Sequence, residues 1–315
     1  MKAAARTSAV EDAARAYSRA LWGLCYRMTG DAADADDLVQ ETFVRAIEKP
    51  RAHATLPLER WLVRVAMNLS RDRLRQRRRQ AYPCPWLASP IETEGDNAIA
   101  ATEVLPSEKT PAGRYELLES VTLAFMLALE ALTPQQRAVL LLRDVFDYSV
   151  RETATCLGLS EVNVKTTHLR ARRAMAAYDA APRAPMAVRQ HQTAAVLSEL
   201  TRCLIENDVA AAEKLLSKSV RSISDGGGEV LAANVPVVGL SKVLLFTRRI
   251  NEHRGPPSDA QVRSINGLPA LVLSYGDRRP REASRVVFTL DVGADGLILG
   301  IHTVLATSKL RALRS

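Results

Sequence analysis

Lys165, Arg170, Arg172 and Arg173 fall in a stretch with no acidic residue between Glu161 and Asp179. Ammonium and guanidinium groups at that density suit one chemistry: hydrogen bonds to phosphate oxygens and to the acceptor edge of guanine. A second basic block, Arg71-Asp72-Arg73-Leu74-Arg75-Gln76-Arg77-Arg78-Arg79, holds six arginines. Upstream, Asp34, Asp36, Asp37 and Glu41 form an acidic cluster, with Gln40 and Phe43 beside them. Carboxylates would be misplaced on a phosphate-binding face, so this cluster suits a separate, basic protein partner. Compensation of a helix N-terminal dipole explains Asp31 and Asp34 well but Glu41 poorly.

Other chemistries are weakly supported. The cysteines, Cys25, Cys84, Cys156 and Cys203, are far apart and form no C-x-x-C pair. That spacing argues against zinc and against a disulfide scaffold, so no metal and no cofactor is expected. Asp208, Asp225, His253, Asp291 and His302 are candidate acid–base residues, yet no pair has a diagnostic spacing. The chain is not expected to be an enzyme.

The elements that must position these groups can be read from caps and periodicity. Ser149-Val150-Arg151-Glu152 is a capping box opening a short helix to Leu157. Gly158 makes the turn, and Ser160 caps a long helix from Glu161 to about Tyr178. Two capped helices joined by a glycine turn form a helix-turn-helix. On the second helix Val164, Ala171 and Met175 point inward, with His168 at or near that stripe as a packing residue. Lys165, Thr166, Leu169 and Arg170 then face outward, where such a helix enters the major groove. A helical hairpin with a merely solvated basic face is the alternative.

Further upstream, one helix runs through Leu21, Leu24, Cys25 and Met28 and stops at Gly30. Asp31 caps a second helix carrying Leu38, Val39, Val44 and Ile47, which Pro50 ends. A third starts near Glu59, carries Trp61, Leu62, Val65, Leu69 and Leu74, and runs into the arginine block, extending it toward a phosphate backbone. Trp61 reads more readily as core than as a platform for an unstacked base. Leu118, Val121, Phe125, Ala128 and Leu132 sit at helical spacing, and Thr133-Pro134 restarts the chain as cap and first helical position.

The rest separates by texture. The chain has 315 residues, a formal net charge of +8, a pI near 9.5 and 47% hydrophobic residues. Two or three domains and a polyanionic partner are expected. Residues 11–80 and 115–180 read as all-α modules, 81–114 as a Pro-rich linker with local structure around Trp86, and 188–315 as an α+β domain. Val188 to Val220 reads as two helices. Val286, Phe288, Leu290 and Val292 alternate, as do Leu297, Leu299, Ile301 and Thr303, joined by the Gly293-Ala294-Asp295-Gly296 turn. Asn266-Gly267 signals another hairpin. No signal peptide and no membrane span are read, which implies a cytoplasmic protein without a membrane partner.

Tyr26-Arg27-Met28-Thr29-Gly30-Asp31 and Asp36-Asp37-Leu38-Val39-Gln40-Glu41-Thr42-Phe43 resemble region 2 of sigma-70 factors of the extracytoplasmic-function group. Trp61-Leu62-Val63-Arg64-Val65-Ala66-Met67-Asn68 through the arginine block resembles the remainder of that region. Leu132-Thr133-Pro134-Gln135-Gln136-Arg137 through Met175 resembles region 4. The resemblance implies RNA polymerase core and promoter DNA as partners, the β′ clamp helices and the β flap being the polymerase surfaces. It implies core-polymerase contacts at Asp36, Asp37, Gln40, Glu41 and Phe43. The −10 element would be melted and read by the loop near Arg51–Arg60 and by Arg60, Trp61, Arg64, Asn68, Arg71 and Arg75. The −35 element would be read by Lys165, Thr166, Leu169, Arg170 and Arg173.

The C-terminal part is similar to the SnoaL-like, NTF2-fold cone of SigJ-type factors, which carry a D-G-G-G motif, here Asp225-Gly226-Gly227-Gly228. A strand-connecting turn is the plain alternative for it. The linker motif W-L-P-E-P reads Trp86-Leu87-Ala88-Ser89-Pro90 here, and N-P-D-K-L reads Ala306-Thr307-Ser308-Lys309-Leu310. Regulation in cis through Trp86 and Asp225–Gly228, by contact of the C-terminal domain with the linker and helical modules, is the implied mechanism. A small-molecule sensor or a cyclase- or isomerase-like enzyme in that domain is the alternative. A repressor or activator using the helix-turn-helix alone is a third reading, against which the region 2 resemblance stands.

Overall fold

A computed structural model describes residues 2–48, 57–80, 82, 84–94, 114–181, 183–276 and 279–313, with side chains from residue 12 onward. The chain begins with α1 (Lys2–Thr29), α2 (Ala32–Glu48) and α3 (Leu58–Arg79). After a 3-10 turn at Glu119–Val121 come α4 (Leu123–Leu129), α5 (Pro134–Leu140), a π-helical turn at Leu141–Val145, α6 (Val150–Leu157), α7 (Glu161–Ala174) and α8 (Ala176–Ala180). Then follow α9 (Met186–Glu206), α10 (Val209–Leu215), β1 (Leu216–Asp225), β2 (Val237–Val238), α11 (Leu240–Arg254), β3 (Asp259–Ile265), β4 (Leu268–Ser274), β5 (Arg285–Val292), β6 (Ile298–Val304) and α12 (Thr307–Leu310).

The chain divides into two compact units. One comprises Met1–Ala81, Ile99–Val121 and Phe125–Tyr178; the other comprises Tyr82–Ala98, Thr122–Ala124 and Asp179–Ser315. The fold class is therefore all-α helical modules plus an α+β C-terminal region.

In the helical unit, local chemistry sets the element ends. Gly30 takes a φ of +69°, and its N–H donates to the Tyr26 carbonyl at 2.6 Å, closing α1. The Asp31 carboxylate then accepts from the Ala33 and Asp34 amides at 3.0 and 3.1 Å and opens α2. Leu21, Leu24, Met28, Leu38, Leu62, Met67 and Leu74 are buried between α1, α2 and α3. Tyr115, Phe125 and Tyr178 form an edge-on aromatic cluster, with ring centroids 4.9 to 6.2 Å apart.

The C-terminal unit is built on a six-stranded sheet of order β2-β1-β6-β5-β4-β3. Among the described strands only β1 and β6 run parallel; the other pairs are antiparallel. Asn266 and Gly267 both have positive φ, +52° and +81°, and turn β3 into β4 in the tight hairpin that the dipeptide predicts. Gly296, at φ +79°, closes the β5–β6 turn. Leu197, Leu200 and Cys203 of α9 and Val243 of α11 pack with Val220, Leu290, Ile298 and Ile301 of the sheet.

Three expected elements differ. The helix expected through Leu118–Leu132 is a 3-10 turn followed by the short α4. The helix expected from Glu161 to about Tyr178 breaks at Met175, whose ψ of −2° departs from the helical value. The second helix expected within Val188–Val220 ends at Leu215, because from Leu216 the chain alternates Val220, Arg221, Ser222 and Ile223 as a strand.

Candidate nucleic-acid interface

The helix-turn-helix is assembled as its caps dictate. Ser149 Oγ accepts from the Glu152 amide at 3.1 Å, and Glu152 Oε2 accepts from the Ser149 amide at 2.8 Å. Gly158 holds φ +65° at the turn, and Ser160 Oγ accepts from the Asn163 amide at 3.2 Å to start α7. On α7, Val164, Thr167, Ala171 and Met175 are buried, while Lys165, Thr166, Leu169, Arg170 and Arg173 are exposed. Lys165, Arg170 and Arg173 make no ion pair among the described residues, so their charge stays available to an anion. Leu169, 52% exposed, and Val162, which the sequence reading overlooked, put apolar groups on the same open surface. Methyl-bearing faces of this kind suit thymine methyl groups.

His168 does not pack as a plain core residue. Its Nε2 lies 2.8 Å from Asp144 Oδ1, and Arg172 reaches Asp144 Oδ2 at 3.5 Å. Asp144 is buried in the π-helical turn, so this triad fixes how α7 sits on the preceding elements.

The arginine block departs from expectation. Arg77 Nη2 donates to both Glu130 carboxylate oxygens at 2.8 Å, and Nη1 donates to the Thr29 carbonyl at 2.6 Å. Arg137, fully buried, pairs with the same Glu130 and donates to the Met28 carbonyl at 2.8 Å. Arg78 donates to the Leu132 carbonyl, Arg73 pairs with Asp34, and Arg75 pairs with Asp72 at 2.6 Å. Much of the block therefore ties the helical elements together instead of projecting toward phosphate. Desolvation alone would raise the Glu130 pKa, but Arg137 and Arg77 overcome it and hold the carboxyl below its usual range.

The other residues implied for single-strand contact lie on α3, which packs on α6. Trp61 is 6% exposed and is core in this arrangement, not a stacking platform. Arg60 reaches Glu152 of α6 at 3.5 Å. Arg71 is buried and donates to Asn68 Oδ1 at 3.3 Å; burial, and then Arg75, lower its pKa. Burial pushes the neighbouring Cys156 thiol up to about 12. Arg64 is half-buried on the same helix. Residues 51–56 of the expected loop lie outside the described residues.

On α2, Asp36, Asp37, Gln40 and Glu41 are exposed together, and Phe43 is half-buried. Trp22 Nε1 donates to Asp36 Oδ1 at 2.7 Å, which orients that carboxylate. Exposed Val44 and Ile47 continue this surface as an apolar strip. The groove beside it is lined by Asp37, Glu41, Val44, Leu69 and Arg73. An acidic face next to an apolar strip fits a basic helical partner.

A third constellation lies wholly within the C-terminal unit. Asp225 is fully buried, and its two oxygens accept from donors on three segments. Oδ1 takes the Tyr82 hydroxyl at 2.7 Å, the Gly227 amide at 2.9 Å and the Cys84 thiol at 3.4 Å. Oδ2 takes the Leu87 amide at 2.8 Å and Lys309 Nζ at 2.7 Å. Lys309, 6% exposed, also donates to the Leu87 carbonyl at 2.6 Å and lies 4.8 and 4.7 Å from the Tyr82 and Trp86 rings.

The glycines serve this anchor sterically. A side chain at Gly226 would place Cβ 2.5 Å from the Val230 carbonyl oxygen, and Gly227 holds φ +63°. Past the anchor, Ile91 and Asn266 exchange hydrogen bonds, Glu92 bridges antiparallel to Ile265, and Arg263 pairs with Glu92 at 2.9 Å. The described part of the expected linker is thus laid along the C-terminal unit through Thr93, despite the altered W-L-P-E-P motif. Tyr82 and Lys309 were absent from the sequence-derived site, although Lys309 is the lysine retained from N-P-D-K-L.

The candidate acid–base residues do not converge. Asp208 caps α10, His253 pairs with Glu282 at 3.3 Å, and Asp225 is committed to the linker. His302 is buried in β6, where desolvation lowers its pKa against the opposing influence of Asp291. Among the described residues no cluster of metal-binding side chains is found, and no helix is long and apolar enough to cross a membrane.

Comparison with known proteins bears on these surfaces. Residues 13–80 match the sigma-70 region 2 model and residues 122–175 a sigma-70 region 4 model. The chain is 40% identical over 165 residues to the extracytoplasmic-function (ECF) RNA polymerase sigma factor SigG of Mycobacterium tuberculosis, covering 50% of this chain but only 45% of that protein. It is 30% identical over 313 residues to the probable ECF RNA polymerase sigma factor SigI of the same organism, covering 97% of this chain and 96% of SigI. It is also 30% identical to ECF RNA polymerase sigma factor SigJ, over 75% of this chain and 71% of SigJ. The crystal structure of SigJ superposes with a TM-score of 0.70, covering 93% of this chain and 95% of that one, at 25% identity.

Proposed function

The chain belongs to the extracytoplasmic-function RNA polymerase sigma factors, and from that premise we propose that it directs core RNA polymerase to promoters in the bacterial cytoplasm. The observation that carries this reading is the outer face of α7, where Lys165, Arg170 and Arg173 are exposed and unneutralised among the described residues. In this role Lys165, Thr166, Leu169, Arg170 and Arg173 read duplex at the −35 element. Asp36, Asp37, Gln40, Glu41 and Phe43, joined by Val44 and Ile47, take the clamp helices of the polymerase. Arg60, Arg64, Asn68, Arg71 and Arg75 contact the −10 element once α3 and α6 part. Trp61 supports that helix from within.

That parting is a geometric requirement. Elements about 25 base pairs apart are separated by roughly 85 Å at ~3.4 Å per base pair. A unit in which α3 lies directly on α6 does not span such a distance, so the packed helical unit is the resting form. The C-terminal domain acts in cis by holding residues 82 and 84–94 on its own surface. Docking that segment withdraws roughly 45 Å of extended chain from the connection between the modules.

Run-off transcription with core polymerase tests both parts. The full chain is expected to initiate only in the presence of core and only on templates carrying both elements. An Asp225→Asn variant is expected to change output from the same template. Tight, specific duplex binding by the free protein without polymerase would overturn the reading in favour of an ordinary repressor or activator.

A further inference from the structure

The sheet of the C-terminal unit curves around a cavity of about 420 Å³. Its floor is hydroxyl-bearing. Ser224 pairs with Thr303 across the β1–β6 ladder, and Ser222 lies two residues along the same face. Ser222 and Ser224 are 3% and 5% exposed, yet neither their hydroxyls nor that of Thr303 make a hydrogen bond among the described residues. Those hydroxyl oxygens are not sealed from solvent but open onto the cavity, where water or a ligand can serve as their partner. The walls are apolar: Leu271 pairs with Phe288 and Leu273 with Val286 on the adjoining strands. Leu231 and Ile250 at the lip are 59% and 38% exposed, apolar surface left in water when the cavity is empty.

The mouth offers little free charge. His253 lies 3.3 Å from Glu282, and Arg254 lies over the Tyr275 ring at 5.1 Å. A carboxylate or ammonium ligand would find no buried counter-charge among the serines and threonine. A neutral ligand would find an apolar wall and three hydroxyls that both donate and accept. A volume of this size suits one small organic molecule.

We propose that this cavity binds a neutral, largely apolar small molecule whose carbonyl or hydroxyl oxygen is taken by Ser222, Ser224 and Thr303. The site opens on the opposite face of β1 from Asp225, since Ser222 and Ser224 alternate with Ile223 and Asp225 along the strand. The inference does not depend on the regulatory reading above, because binding is measured without polymerase or promoter.

The test uses the full chain and prodan, a neutral naphthyl ketone whose emission shifts to the blue in apolar surroundings. Saturable, blue-shifted binding at one site per chain is expected. Leu273→Trp, which fills the cavity, should abolish it. Ser222→Ala with Ser224→Ala keeps the volume and should weaken binding about three- to tenfold, the worth of one lost hydrogen bond. Thermal melts identify variants that still fold, and the serine variant decides the matter if Leu273→Trp does not fold. No saturable shift with the native chain would overturn the proposal and mark a merely hydrated cavity. Unchanged affinity in a folded Leu273→Trp chain would place the probe elsewhere, and unchanged affinity in the serine variant would remove the hydroxyl floor; either result overturns the proposal.

Discussion

Replacing Asp225 by Asn changes one atom and removes one buried charge. In the native chain Lys309 Nζ sits 2.7 Å from Asp225 Oδ2, both side chains being at most 5% exposed. An amide can accept through one oxygen only. If that oxygen serves Tyr82, Cys84 and Gly227, its NH₂ group faces Lys309 and the Leu87 amide, both donors. The Lys309 ammonium then loses its carboxylate partner while keeping the Leu87 carbonyl and the two ring faces. Removing one partner of a buried pair costs about 3–5 kcal/mol. Amide exchange limited by local opening scales with that free energy, so exchange over residues 82–94 should rise by about 10² to nearly 10⁴-fold. Hydrogen–deuterium exchange read by mass spectrometry on peptides covering Leu87 and Ile91 measures it directly. The double variant Asp225→Asn, Lys309→Met removes the ammonium left facing an amide and should recover part of the loss, giving a favourable coupling term. Unchanged exchange over 82–94 in a folded Asp225→Asn chain would refute the claim that this carboxylate anchors the linker.

Other perturbations follow from the same geometry. Gly226→Ala forces a methyl to 2.5 Å from a backbone carbonyl, so the melting temperature should fall and linker exchange should rise even though Asp225 is intact. His302 is buried with a lowered pKa, so the folded state disfavours its protonation. Its effect is neutral above the unfolded value near 6.5 and destabilising as pH falls below it, and a melt series from pH 7 to pH 5 should lose this slope in His302→Gln. Glu130 is held below its ordinary value by Arg137 and Arg77, so its stabilisation is present above about pH 4.5 and is lost as pH falls through the folded value. Glu130→Gln should cost about 1–2 kcal/mol in urea unfolding at pH 7, discounted for partial exposure, and progressively less as pH falls through the folded value.

Much of the fold is legible because it is written in local signals. The capping box at Ser149–Glu152, the turn at Gly158 and the two positive-φ residues at Asn266–Gly267 act within a few residues of themselves, and all three form as read. The outward set on α7 follows from helical period alone. The arginine block shows where that logic stops. Its composition announces phosphate binding, but Glu130 and the Thr29 and Leu132 carbonyls, distant in sequence, claim Arg77 and Arg78 first. Periodicity cannot reveal a partner some 50 residues away. The anchor was half legible for the same reason. Asp225 and Trp86 stood out by motif, whereas Tyr82 became visible only when the chain returned to the same carboxylate. The helix expected through Leu118–Leu132 failed differently: its apolar spacing is real, but the aromatic cluster of Tyr115, Phe125 and Tyr178 satisfies that spacing with a 3-10 turn and a short helix.

The central claim is that this chain engages core RNA polymerase through the acidic face of α2 and carries it to a promoter. The most direct test is co-elution of the purified full chain with core polymerase on a sizing column, alongside a variant with Asp37→Lys and Glu41→Lys. Both residues are exposed and make only surface ion pairs, Asp37 with Arg73 at 3.8 Å and Glu41 with Arg45 at 2.9 Å, so the charge reversal should move the melt little. A stoichiometric complex with the native chain, lost in the variant, is the expected result. A native chain that elutes apart from core polymerase at low and moderate salt would contradict the account.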